Sequence, residues 1–370
     1  MSDARTGVQP SPSNTLLLGE GEAWIDCDVH CAPASREALF PYLSEYWREF
    51  MDGAGIGLMG MTSAYPPQAP TSALETARGG PGPAVPATYE TLEEHLLDRV
   101  ELRYAILNCL TVCEAHRNPY YQAALASAIN DWLRNDWLDR DDRLRASMVV
   151  STVDAGEAVA EIERLADDRR FVQVLLPIRG DAPYGNRRYH PIYEAAEKHG
   201  LAIGLHAWGR SGHAPTQNGF TLFYLEDYLS NPIVVQTHVL SLVSEGVFER
   251  FPNLRVSLLE CGFAWLPPLL WRFDKDWKGV WREVPWVKEK PSEYVKRHFR
   301  ATTAPAHLPT SSPRQIAELV EMVGPQWLMH ASDYPHDHGP SAEALYAVLD
   351  EEGTRAVRYE NAAEHYRLAV

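Results

Sequence analysis

Eight nearly continuous apolar runs of strand length recur along the chain: Ala23 to His30, Tyr104 to Val112, Leu144 to Thr152, Phe171 to Ile178, Leu201 to Ala207, Ile233 to Leu240, Arg255 to Cys261 and Trp327 to Tyr334. Each run is apolar throughout rather than alternating, as parallel strands covered on both faces require. Amphipathic stretches separate them, among them Tyr120 to Asp139, Ala155 to Asp168, Pro191 to His199 and Ser341 to Glu352. Strand and helix alternating eight times predicts an α/β fold, a (β/α)8 TIM barrel. A doubly wound open sheet is the alternative, but no glycine-rich phosphate loop follows the first run.

Two stretches break the rhythm. Residues 31–87, rich in Gly, Pro, Ala and aromatic residues, follow the first strand, and residues 265–309, carrying Trp271, Trp277, Trp281 and Trp286, follow the seventh. Both leave from the catalytic end of a barrel and are expected to be lid or interface insertions. Residues 1–20 read as a disordered or extended leader, and residues 21–370 as one barrel domain. The polar start has no basic-then-apolar layout of an export signal, and no apolar run is long enough to span a bilayer. The expected location is the cytoplasm, away from membranes. A net charge of −16 argues against a nucleic-acid partner. The five cysteines, Cys27, Cys31, Cys109, Cys113 and Cys261, are odd in number and read as reduced thiols. The two close pairs have three intervening residues, not the two of a zinc knuckle.

Chemistry-bearing residues gather where the runs end. Strand alternation places Asp26, Asp28 and His30 on one face of the first strand, with Cys27, Val29 and Cys31 on the other. The fifth run ends in His206, Trp208 and Gly209, the sixth at His238, the eighth at Asp333. A carboxylate after the buried run Trp327-Leu328-Met329 needs a cationic partner. Two carboxylates and two imidazoles can hold one divalent ion, Zn first with Mn or Fe as alternatives. The ion would lower the pKa of a bound water from about 15.7 toward roughly 7. His238 then acts as general base, polarises the substrate or ligates the metal; spacing leaves these open. Glu260 ends the seventh run, and His336 follows Asp333. Arg179 and Arg210 follow the fourth and fifth strands, where a substrate carboxylate can be clamped. His330 falls on the face opposite Asp333 and reads as packing.

The pattern resembles the amidohydrolase superfamily, specifically the amidohydrolase-related branch that includes aminocarboxymuconate semialdehyde decarboxylase. The matching pieces are Asp28-x-His30, the run Tyr189 to Ala196 ahead of Leu205-His206, then His238, Phe248 to Arg255, and Ser332-Asp333-Tyr334-Pro335-His336. The resemblance runs from about Trp24 to the C-terminus. It implies Asp28, His30, His206 and Asp333 as metal ligands, His238 as the catalytic histidine with Asp333 handling protons, and a homodimer. The first motif departs from the branch's usual His-x-His or Glu-x-His in having the shorter Asp28. The fourth strand, residues 171–180, lacks the lysine that binuclear members carboxylate, which favours one metal. Two functions fit these ligands. The first is a hydrolase in which metal-activated water attacks a carbonyl (amide, lactone, ester or C–C) of a small aromatic or apolar substrate. The alternative is a non-oxidative decarboxylase, a C–C lyase of a small aromatic or unsaturated acid. A non-catalytic barrel would not need the full ligand set. Glu260, His336, Arg179, Arg210 and Trp208 are then the residues expected to touch substrate or support the ligands.

Overall fold

A computed structural model describes residues 24–57, 88–111, 116–209, 213–309, 311–336, 338 and 341–369. Eight parallel strands stand in sequence order: β1 Trp24–Cys31, β2 Leu102–Cys109, β3 Leu144–Val149, β4 Phe171–Arg179, β5 Ala202–Gly209, β6 Val256–Leu259, β7 Phe299–Thr302 and β8 Leu328–Met329. The last strand returns to the first. Cys27 N–H donates to the His330 carbonyl at 3.0 Å and His30 N–H to the Tyr334 carbonyl at 2.8 Å. The longer helices pack outside: α1 Glu45–Ala54, α2 Pro119–Leu133, α3 Ala155–Leu165, α4 His190–His199, α5 Asn231–Ser244, α6 Leu266–Val280, α7 Pro291–His298 and α8 Pro313–Val323. The (β/α)8 barrel is the fold.

Local chemistry fixes where the helices begin. Asp154 caps α3 by accepting from Gly156 and Glu157 N–H at 2.8 and 3.2 Å. Asn118 caps α2, whose first residue Pro119 has no N–H to satisfy. The barrel's interior is filled at its N-terminal end by Ile25, Cys27, Tyr104, Ile106, Val172, Ala202 and Met329, whereas Val29, Cys31, Ala105, Leu107 and Cys109 face the helices. Among the described residues no helix is long and apolar enough to cross a membrane.

The strand assignments need two corrections. Ile233 to Leu240 is the middle of helix α5, not a strand. Its β-branched residues suggested a strand, yet the buried positions Val234, Val235, His238, Val239, Leu242 and Val243 recur at helical spacing. Arg255 to Cys261 is therefore β6, and β7 is Phe299–Thr302, four residues whose brevity hid them. Residues 265–309 accordingly hold α6, α7 and a barrel strand and are not purely an insertion. Of residues 31–87, the described part carries a 3-10 turn, Arg36–Tyr42, and α1, which sets Trp47 and Phe50 against Tyr121 of α2. Residues 1–20 and 58–87 lie outside the described residues.

The first strand also departs from simple alternation. Its register with β2 shifts between Asp26 and Val29, a bulge of one extra residue. Cys27 faces the interior apolar cluster, while Asp28 also points inward to the Asn108 side chain at 2.7 Å. Asp26 is not on their face. It accepts Ser332 N–H at 3.0 Å, tying β1 to the segment that carries Asp333.

Candidate metal centre and active site

At the C-terminal end of the barrel, Asp28 and His30 from β1, His206 from β5 and Asp333 after β8 meet. His30 Nε2 lies 2.6 Å from Asp333 Oδ1 and 3.7 Å from Asp28 Oδ1, and His206 Nε2 lies 3.2 Å from Asp28 Oδ2. All four are buried, with at most 1% of their surface exposed. Their ligand atoms form two overlapping groups, Asp28–His30–His206 and His30–Asp333–His336, each within 4.8 Å.

This donor set fits a divalent ion. Although His206 Nε2 lies 3.2 Å away, buried Asp28 Oδ2 makes no well-formed hydrogen bond among the described residues, a costly condition for a carboxylate oxygen unless a cation faces it. His30 gives its Nδ1 to the Asn108 carbonyl at 3.2 Å, which fixes the tautomer and leaves Nε2 toward the carboxylates. Asn108 Nδ2 in turn donates to Asp28 Oδ1 at 2.7 Å, and Ser147 Oγ donates to Asn108 Oδ1 at 2.5 Å. Metal-ligating groups are characteristically held by such supporting bonds.

Burial would lower the His30 pKa, but Asp28 first, then Asp333 and Glu260, push it up to about 10. Burial would raise the Asp333 carboxyl, but His336, His30 and His338 hold it well below the usual range. A divalent ion held by these residues would balance the carboxylates in place of a proton on His30, which makes metal affinity depend on pH.

Glu260 joins the site from the end of β6. Its Oε2 lies 3.8 Å from His206 Nδ1, and burial, followed by the Asp333 charge, raises its carboxyl well above the usual range. Glu260 and Asp333 share an unusual backbone, with φ of 55° and 56°. A non-glycine residue there costs on the order of 1–3 kcal/mol, and such strain concentrates at functional sites. Thr302 Oγ1 accepts Glu260 N–H at 3.1 Å and helps hold the turn.

The remaining sequence expectations divide. His336 Nδ1 touches Asp333 Oδ1 at 3.3 Å, so it stands beside the cluster. His338 was not foreseen, and its Nε2 lies 2.5 Å from Asp333 Oδ2; the spacing His336-x-His338 directly after Asp333 was the available signal. Asn108 was also missed, although an asparagine inside the apolar run of β2 stands out. His238 is not at a strand end. On α5 its Nδ1 accepts Tyr184 N–H at 3.1 Å and its Nε2 donates to the Ile178 carbonyl at 2.6 Å. Both ring nitrogens are thereby spent on the end of β4 and the loop after it, and burial lowers its pKa to about 4. Arg179 is committed elsewhere, to Asp227 Oδ2 at 2.9 Å and Asn231 Oδ1 at 2.8 Å. His330 packs edge-on against Trp24 and bonds Tyr346, as its strand face predicted. Trp208 lies in β5 at the same end of the barrel as His206; Arg210 lies outside the described residues.

A family model described as Amidohydrolase matches residues 110–368. Gamma-resorcylate decarboxylase of Rhodococcus jostii (strain RHA1) is 24% identical over 320 residues, covering 77% of this chain and 92% of that protein. Among solved structures, an amidohydrolase from Mycobacterium avium subsp. paratuberculosis K-10 superposes with a TM-score of 0.72 at 19% identity, covering 95% of this chain and 99% of that one. A 5-carboxyvanillate decarboxylase of Novosphingobium aromaticivorans DSM 12444, complexed with manganese, gives a TM-score of 0.68 at 20% identity over 94% and 97% of the two chains. With eight parallel strands and a buried Asp–His centre at their C-terminal ends, the chain belongs to the amidohydrolase family, in its amidohydrolase-related branch, and is a metal-dependent enzyme of hydrolase or carboxy-lyase type.

Proposed function

We propose that this enzyme is a metal-dependent, non-oxidative decarboxylase of a small aromatic acid. The observation that carries the reading is the convergence of Asp28, His30, His206 and Asp333 in a chain similar over most of its length to gamma-resorcylate decarboxylase. Those four residues are the proposed ligands. When bound, the ion supplies positive charge for the substrate's carboxylate and a neighbouring oxygen. Manganese in the 5-carboxyvanillate decarboxylase makes Mn the first metal to test beside Zn.

The chain's own residues supply the rest. The carboxyl of Glu260, pushed up by its burial and then by the Asp333 charge, is the proposed proton donor to the ring carbon from which CO2 departs. His336 and His338 steady Asp333 through the contacts above. His238, implied as catalytic by the resemblance, is instead proposed as a positioning residue for the loop after β4.

Hydrolysis stays as the second reading because of Arg179. Its guanidinium is held by Asp227 and so is not offered to a substrate carboxylate. The test incubates metal-loaded enzyme with gamma-resorcylate, 5-carboxyvanillate and matched amides and lactones. The proposal expects CO2 in step with acid consumed. Cleavage of an amide or lactone without CO2 from any acid would replace it with the hydrolase. We also propose a homodimer, supported by the exposed side chains of Phe220, Leu222, Phe223 and Leu225 on one short segment. Light scattering at the mass of one 41.6 kDa chain would refute it.

A further inference from the structure

The end of the barrel opposite the metal ligands holds a cavity of about 460 Å³. It lies between the starts of β3 and β4, the end of α4 and the residues that follow Asn361–Tyr366, the last helix. Its lining includes Arg145, Arg169, Lys198, His199, Arg367 and Tyr366, and none of the described lining residues has an acidic side chain. In a chain of net charge −16, three arginines and a lysine around one cavity gather positive charge in one place.

One nearby carboxylate offsets part of this charge. Glu163 is shared by Lys198 Nζ at 2.7 Å and His199 Nε2 at 3.0 Å. Arg145 donates to the carbonyls of Asp142 and Leu144 at 2.9 and 2.7 Å and stacks on Tyr104 at 4.1 Å. Behind the cavity Arg255 donates to the Gly200 carbonyl at 2.5 Å and to the His365 carbonyl, and its buried Nε has no hydrogen-bond partner among the described residues. Burial, and then the neighbouring Arg367, lower the Arg255 pKa to about 10. The backbone is shaped for this crowding. Gly200 has φ of 72°, and a Cβ there would meet Arg367 Nη1 at 3.0 Å. Placing guanidinium groups side by side without carboxylates is unfavourable unless an anion completes the cluster.

We propose that this cavity is a second ligand site, for a small anion bearing phosphate or carboxylate groups, with Arg145 and Arg367 as its main contacts. The site is separate from the metal centre and does not depend on which reaction the enzyme performs. Its volume falls in the range of small-molecule sites, roughly 300–1,000 Å³.

Calorimetric titration of the metal-loaded full chain with inorganic phosphate, and separately with citrate, tests it. Saturable binding of either anion is expected, and the preference between them tells a phosphate ligand from a polycarboxylate. Arg367→Glu and Arg169→Glu, both exposed at the rim, are each expected to weaken binding by about tenfold or more while melting like the parent. His206→Ala is expected to bind as the parent does, because an anion sitting on the active-site metal would be lost there. The proposal is overturned by no binding of either anion up to about 10 mM. It is equally overturned if His206→Ala abolishes binding, or if both charge reversals leave it unchanged.

Discussion

At the scale of single residues, the metal centre makes the sharpest demands. Asp333→Asn removes a charge that His30, His336 and His338 all face, and His206→Ala removes a nitrogen aimed at Asp28. Each is expected to cut turnover about a thousandfold or more, since a bound ion supplies several kcal/mol of charge stabilisation. Turnover near that of the parent in either variant would remove that residue from the ligand set. Asn108→Ala is milder. It takes away the donor to Asp28 and is expected to weaken metal affinity about 10–100-fold, read by competition with a chelating dye. The proposed ligands are legible in the sequence because each is a polar residue closing an apolar run. Their supports were harder to read, since the Asn108 bond depends on a bulge that no period-two pattern announces.

At the scale of elements, α5 is a helix where the apolar run Ile233 to Leu240 suggests a strand, and it carries a measurable consequence. Its apolar residues surround His238 on a buried face, so alternation and helical spacing compete in a short β-branched run. The helix places the imidazole between the Tyr184 N–H and the Ile178 carbonyl, an arrangement that needs the neutral ring. Its folded pKa of about 4 lies below the usual 6.5, so between those values the unfolded chain binds the extra proton. The stability it contributes is therefore complete above pH 6.5 and is lost as pH falls toward 4. The loss amounts to about 3 kcal/mol for a shift of this size. Urea unfolding of His238→Gln should depend less steeply on pH across that window than the parent does. Identical slopes would mean that His238 does not titrate with folding. The brief β7 escaped the sequence for the opposite reason. Four residues carry too little apolar length to be seen, and its partners β6 and β8 define it.

For the molecule as a whole, the first and last strands were the most legible part of the fold, because their polar ends only make sense together. The seam between them is thin. Cys27 N–H and His30 N–H reach across to His330 and Tyr334, and Asp26 accepts from Ser332. The proposed ligands Asp28 and His30 lie on one side of that seam and Asp333 on the other, so a bound ion would cross-link it. An ion that binds only the folded chain stabilises it by about 2.7 kcal/mol at a hundredfold excess over its dissociation constant. Chelation should therefore lower the melting temperature by a few degrees. It should also speed amide exchange at Cys27 and His30 more than at α3, which lies away from the seam. Because His30 must surrender a proton held up to about pH 10, metal affinity should climb as pH rises from about 6. The expected slope is close to tenfold per pH unit for each proton displaced. A flat affinity over that range would show that His30 is already neutral without metal. Exchange that quickens uniformly on chelation would show that the ion does not act at the junction of β1 and β8.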